Sequence, residues 1–167
     1  MAPEIVVCNA GPLITLTKIG RLHLLQDLFG QIRIPQAVYE EVALRGTGRV
    51  GAIETREANW IVTQSAGDRL SVALLREDLG MGESEAIVLA QEVDAAWLLL
   101  DDALARRKAS RIGIPVVGTL GVLLMAKSAG LIDAVKPALD DLRKTDFRVS
   151  PMVLDEVLNK AGESVST

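Results

Sequence analysis

Histidine and cysteine are almost missing from this chain: His23 and Cys8 are each the only residue of their type among 167. A lone cysteine excludes an intramolecular disulfide and a cysteine-rich metal centre, and it suits a reducing cytosol. A lone histidine excludes multi-histidine zinc sites and weighs against Ser-His-Asp catalysis. Within Leu22-His23-Leu24-Leu25 it reads as a packing or surface residue. Aromatics are confined to Phe29, Tyr39, Trp60, Trp97 and Phe147, too few for the platforms on which single-strand binders stack successive bases. An excess of basic charge is also absent. Lys and Arg total 18 against 22 Asp and Glu, giving a net charge of −4, so nucleic acid is not held by bulk basicity. Long hydrophobic runs are missing too: the uncharged stretch from Ile112 to Ala126 contains Pro115 and falls short of the roughly 20 residues a bilayer span needs. Met1-Ala2-Pro3-Glu4 has no positive charge to open a signal peptide, so a cytoplasmic protein without a membrane segment is expected.

What is present is a large apolar content, 49% of the chain, distributed in short runs between helical patterns. Ile5-Val6-Val7-Cys8, Ile32-Arg33-Ile34, Trp60-Ile61-Val62, Trp97-Leu98-Leu99-Leu100 and Ile114-Pro115-Val116-Val117 read as strands. Between them fall helical segments, including one after Pro35, one from Glu83 to about Val93 behind a Gly80-Met81-Gly82 break, and a basic one from Ala103 to Arg111. Two amphipathic helices, about 133–144 and 151–161, close the chain, and 46–51 reads as a mobile glycine-rich loop. Strands alternating with helices predict an α/β fold, a three-layer α/β/α sandwich around a parallel sheet.

The acids are the informative residues. Asp101 and Asp102 directly follow the Trp97–Leu100 run, at the strand end where open α/β sheets place ligands. At about 4 Å and an effective dielectric near 20, their repulsion is roughly 4 kcal/mol, which a divalent cation relieves. Capping of the following helix accounts for the same pair. Glu41 shares a helix face with Ala37 and Val38 and is expected to lean inward, with Glu40 toward solvent. Glu85 enters the apolar helix Ala86–Ala90 at its first turn. Asn9 adds a neutral oxygen at the end of the first strand, although an Asn there also serves simply as a turn former. A set of carboxylates without histidine or cysteine selects a hard, oxygen-seeking ion, Mg²⁺ or Mn²⁺.

The segments VVCNAGPLITLTKIGRLHLL, IPQAVYEEV, GMGESEAIVLA, LLLDDALARR and GTLGVLLMAKSAGLI, in this order and spacing, resemble the PIN-domain family, in particular its VapC-like bacterial and archaeal branch. The resemblance covers Ile5 to about Ile132, and the two last helices fit the same branch. It implies a PIN-like nuclease domain over 1–132 with 133–167 as a helical extension of that domain. It further implies a metal-dependent endoribonuclease, toxin-like, with RNA as substrate, Mg²⁺ or Mn²⁺ as cofactor, a small antitoxin protein as partner and a homodimeric state. Leu22, Leu24 and Leu25 offer a dimer surface, and core packing explains them equally well.

Carried onto this chain, the family acids fall on Glu41, on Glu85 with Glu83 as neighbour, and on Asp102 supported by Asp101. Thr119 matches a small hydroxyl kept near the site. The chain departs from the pattern at Asn9-Ala10-Gly11, where the family has an aspartate followed by hydroxyl residues. That removes one negative charge and weakens the grip on a divalent ion, so the alternative is a weakened PIN scaffold that binds RNA or protein. In the nuclease reading Glu41, Glu85 and Asp102 are catalytic and hold the metal with Asn9 and Asp101 near it. Arg107, Lys108 and Arg111, on one face of the helix after Asp102, are the RNA-phosphate candidates, followed by Arg45 and Arg49. A solvated helix face is the plain alternative for the first three.

Overall fold

The computed structural model describes residues 4–163, so the signal-peptide reading at Met1-Ala2-Pro3 and the end of the C-terminal extension, 164–167, lie outside the described residues. Strands β1 (Val6–Cys8), β2 (Ile32–Pro35), β3 (Ile61–Gln64), β4 (Trp97–Leu99) and β5 (Val116–Val117) form one sheet in the order β3-β2-β1-β4-β5. Every pairing is parallel, with Cys8 opposite Leu99 and Leu99 opposite Val117. The three-layer α/β/α sandwich expected from the strand–helix alternation is the fold.

Its layers follow from the two-residue period of the strands. Val6, Cys8 and Leu99 face a core built with Leu13 and Leu16 of α1 (Ala10–Lys18), Leu24 and Leu25 of α2 (His23–Phe29), and Leu123 of α8 (Thr119–Ser128). Leu139 and Leu142 of α9 (Lys136–Arg143) and Leu154 and Val157 of α10 (Pro151–Lys160) join the same core. Val7, Leu98 and Leu100 face the opposite side, against Val72 of α5 (Arg69–Leu75), Ile87 and Leu89 of α6 (Met81–Glu92), and Ala105 and Ala109 of α7 (Ala103–Arg111). Leu24 and Leu25 are therefore spent on the interior, at 1% and 0% exposure, and do not supply a dimer surface.

Two segments differ from the sequence reading. The helix after Pro35 starts as α3 (Gln36–Tyr39) and widens into a π-helical turn over Glu40–Leu44, closed by the Arg45 N–H donating to the Glu40 carbonyl. The glycine-rich stretch 46–51 is a run of turns with Gly46 and Gly51 buried and 47–50 exposed, and a Cβ on Gly46 would stand 2.5 Å from the Val42 carbonyl oxygen. It leads into α4 (Ala52–Glu57), whose Arg56 guanidinium donates to the Ala43 carbonyl at 2.8 Å. That helix has too little apolar periodicity to be visible in the sequence.

The sheet order fixes where a ligand belongs. From the central β1 the chain first moves outward through β2 and β3, then returns to the other flank for β4 and β5. The reversal lies between β1 and β4, and crevices in open α/β sheets form beyond the carboxyl ends of strands at such a point. Asn9 follows β1 there, and Asp101 and Asp102 lie just beyond β4.

Candidate metal centre

Beyond those strand ends lies a cavity of about 590 Å³ walled by Asn9, Glu41, Arg45, Glu83, Asp101 and Asp102, with Gly80 and Gly82 on its α6 side. Asn9 precedes α1 at the N-cap position yet makes no capping bond with its side chain. Its Oδ1 is buried, in a residue only 7% exposed, and has no hydrogen-bond partner. An unsatisfied buried acceptor costs about 1–3 kcal/mol, so this oxygen is kept without a partner at a measurable expense. A Cβ built on Gly82 would lie 3.2 Å from that oxygen and 3.3 Å from Glu41 Oε2, so both face the same small space.

The carboxylates around it are held differently. Glu41 hangs from the π-helical turn at the mouth of the cavity, and partial burial of its carboxyl pushes its pKa up. The charge of Glu83 adds to that rise and Arg45 opposes it. Glu83 is the third residue of α6, and its Oε2 accepts from the Gly80 N–H at 2.8 Å, leaving its other oxygen uncommitted. Asp102 caps α7 through Oδ2, which accepts from the Ala105 N–H at 2.8 Å. Asp101 is clamped by Thr119: Oδ1 accepts from its N–H and Oδ2 from its hydroxyl, both at 2.7 Å. Thr119 itself is fully buried and acts by fixing Asp101.

Glu85 stands apart from these acids. The sequence places it with Glu41 and Asp102, but its side chain is not part of this wall. Its Oε1 accepts from the Ala37 N–H at 3.1 Å, at the open N-terminal end of α3, and its Oε2 pairs with Arg69 at 3.2 Å. The residue is 4% exposed and anchors α3 to α6. Glu83, named only as a neighbour, stands in the position expected of Glu85. The reason is the start of α6, which lies at Met81 rather than after Gly82, so that Gly82 is helical and its missing side chain opens the cavity.

The basic candidates scatter. Lys108 pairs with Asp78 at 2.8 Å, whereas Arg107 and Arg111 line a shallow depression that also touches Asp101 and Arg106. Arg45 reaches the acid cavity, and Arg49 is exposed on the glycine-rich turn. The arginine missed by sequence reasoning is Arg106, half-buried beside Asp101. Its signal was spacing, since it is four residues from Asp102 and three from the buried Ala109, on the inward face of α7.

Among the described residues no group of three or more Asp, Glu, His or Cys side chains is gathered tightly enough to hold an ion by itself. Mg²⁺ keeps several waters and takes only one or two carboxylates directly. The orphaned Asn9 oxygen, the uncommitted oxygens of Glu41, Glu83 and Asp102 and the all-oxygen donor set fit such a hydrated ion. Filling the space should disturb it. Gly82→Ala gains about 1 kcal/mol of helix propensity but pushes its methyl against Asn9 and Glu41. The expected result is a melting temperature close to wild type with Mn²⁺ affinity at least tenfold weaker, read by calorimetric titration.

A parallel sheet carrying an acid-walled crevice at its topological switch point defines an α/β domain with an oxygen-lined pocket beyond its strand ends. A family model described as a PIN domain matches residues 5–163, and the chain belongs to the PIN-domain family. PIN domains are generally nucleases that act on nucleic acid and typically use divalent metals. No curated protein matches the chain. No helix among the described residues is long and apolar enough to cross a membrane.

Proposed function

We propose that this protein is a divalent-metal-dependent endoribonuclease that cleaves single-stranded RNA. The observation that carries this reading is the buried, unpartnered Asn9 Oδ1 aimed into the space faced by Glu41, at the strand ends where the fold gathers ligands. Glu41, Glu83 and Asp102, with Asn9, are the residues that would hold Mg²⁺ or Mn²⁺. When bound, the ion supplies charge stabilisation at the scissile phosphate and a water of lowered pKa. The protein's own residues do the positioning. Thr119 fixes the Asp101 carboxylate, the Gly80 N–H orients Glu83, and the first turn of α7 orients Asp102. Arg45 limits the repulsion among the acids. The sequence resemblance supports a toxin-like, cytoplasmic role with a small antitoxin protein as partner and a homodimeric state. Asn9 in place of an acid favours the second reading, a weakened scaffold that binds RNA or protein without cutting.

Incubation of the purified protein with labelled single-stranded RNA, with and without Mn²⁺, separates the two. Mn²⁺-dependent fragments support the nuclease; intact RNA in both conditions supports the scaffold. Asn9→Asp adds a charge where the family has one. It should tighten Mn²⁺ binding by about tenfold in calorimetry and lower the metal-free melting temperature, because a buried carboxylate is costly without a counter-ion. Unchanged affinity would mean that the side chain does not reach the ion.

A further inference from the structure

A second cavity, of about 610 Å³, adjoins the acid pocket and shares Gly11, Ile14 and Asp101 with it as a common wall. Across that wall the charge changes sign. The first pocket carries Glu41, Glu83, Asp101 and Asp102 against Arg45. The second carries Lys18, Arg106 and Arg148 against Asp101 and Asp146. Both of its acids are already committed, Asp101 to Thr119 and Asp146 to Lys18 at 2.8 Å. Lys18 is spent in that pair, which holds Asp146's carboxyl below its ordinary range and ties α1 to the segment between α9 and α10. Arg106 and Arg148 make no ion pair among the described residues, so the cavity presents two uncommitted guanidinium groups.

Arg106 is drawn in close to the shared wall. A Cβ on Gly118 would stand 2.5 Å from its Nη1 and 2.9 Å from Asp101 Oδ1, so the bare backbone of Gly118 lets both groups approach as they do. The remaining wall is mostly apolar, formed by Leu120 and Phe147 with Val149 and Val153 beyond, beside the hydroxyl residues Thr15 and Ser150. Planar guanidinium donors suit phosphate oxygens, and an apolar wall containing one aromatic ring suits the face of an unstacked base. The sequence has too few aromatics for a platform of several rings; the cavity offers one.

Resting on the nuclease reading of the neighbouring pocket, we propose that this second cavity is the subsite for the nucleotide flanking the scissile phosphate of a single-stranded RNA. Arg106 and Arg148 bind the flanking phosphate and Phe147 contacts the base. The strand thus runs from an acid pocket that needs a cation into a cavity that supplies cations itself, and this change of sign sets its register. Duplex RNA is excluded from the base contact because its bases remain stacked.

The test is fluorescence anisotropy of a fluorescein-labelled eight-residue oligouridine in EDTA, titrated with wild-type protein and variants at several salt concentrations. Arg106→Gln with Arg148→Gln should weaken binding at least tenfold and lower the salt slope by about 0.7, the value for one phosphate contact on a single strand. Phe147→Leu, which retains apolar bulk, should weaken binding about tenfold and leave the salt slope as it was. Arg143→Gln removes the same charge from an exposed part of α9 outside the cavity and should change neither quantity. Melting temperatures checked in parallel confirm that each variant is folded. Absence of binding by the wild type, or equal losses from Arg143→Gln and the double variant, overturns the proposal. Because no divalent ion is present, the titration reads the cavity whether or not the acids cleave RNA. Failure of cleavage and failure of this subsite are therefore separate results.

Discussion

Glu41→Gln should lower Mn²⁺-dependent RNA cleavage by at least about a hundredfold, the upper end of what losing a group that tunes a metal site costs. Its effect on stability should have the opposite sign. Partial burial, then the Glu83 charge, raises the Glu41 pKa in the folded protein above the ordinary 4.5, with Arg45 opposing. A carboxyl shifted upward by folding destabilises the native state once it ionises. The cost is absent below the unfolded pKa and appears as pH rises through the folded pKa. Without metal at pH 7, the glutamine variant should therefore melt above the wild type, and the gap should close as pH falls toward 4.5. With saturating Mn²⁺ the order should reverse, because the ion stabilises only the form that binds it. Thermal melts at two pH values, with Mn²⁺ or EDTA, check all three statements. A variant that melts lower in EDTA would assign Glu41 a structural role.

Glu85→Ala should behave in the reverse way. It leaves the buried Ala37 N–H without an acceptor, which costs about 1–3 kcal/mol. A chain of this size loses about 2–4 °C per kcal/mol, so a fall of several degrees is expected. Little of it comes from the ion pair itself, because Arg69 is 56% exposed and water screens such contacts. At 25 °C, where the variant stays folded, RNA cleavage should remain within a few-fold of wild type. An unchanged melting temperature combined with lost cleavage would restore Glu85 to the metal centre.

These two glutamates show what the sequence could and could not convey. The strand ends were legible because buried apolar runs such as Trp97–Leu100 end abruptly at charged or turn-forming residues, and a parallel sheet must gather those ends on one edge. Glu41 does line the cavity, but it is exposed while Glu40 is half-buried, the reverse of what spacing to Ala37 and Val38 suggests, because a π-helical turn that left no signal in composition carries both. Glu85 misled because the position of a helix start decides which residue faces the site. Gly80-Met81-Gly82 suggests a break, yet only Gly80 lies outside the helix, and two residues along a helix turn a side chain through about 200°. Glu83 and Glu85 thus point to nearly opposite sides, one into the cavity and one toward Arg69. Arg106 was hidden in a basic run whose most exposed members drew attention, and burial alone distinguishes it. Leu24 and Leu25 could not be assigned from sequence, since a leucine facing the core and one facing a partner are written identically.

Anomalous diffraction at the manganese edge, from crystals grown with Mn²⁺, tests the central claim most directly. A peak is expected inside the cavity walled by Asn9, Glu41, Glu83 and Asp102, with Asn9 Oδ1 facing it and Glu85 still bonded to the Ala37 N–H and Arg69. No peak in that cavity, or a peak coordinated by Glu85 instead, would contradict the claim.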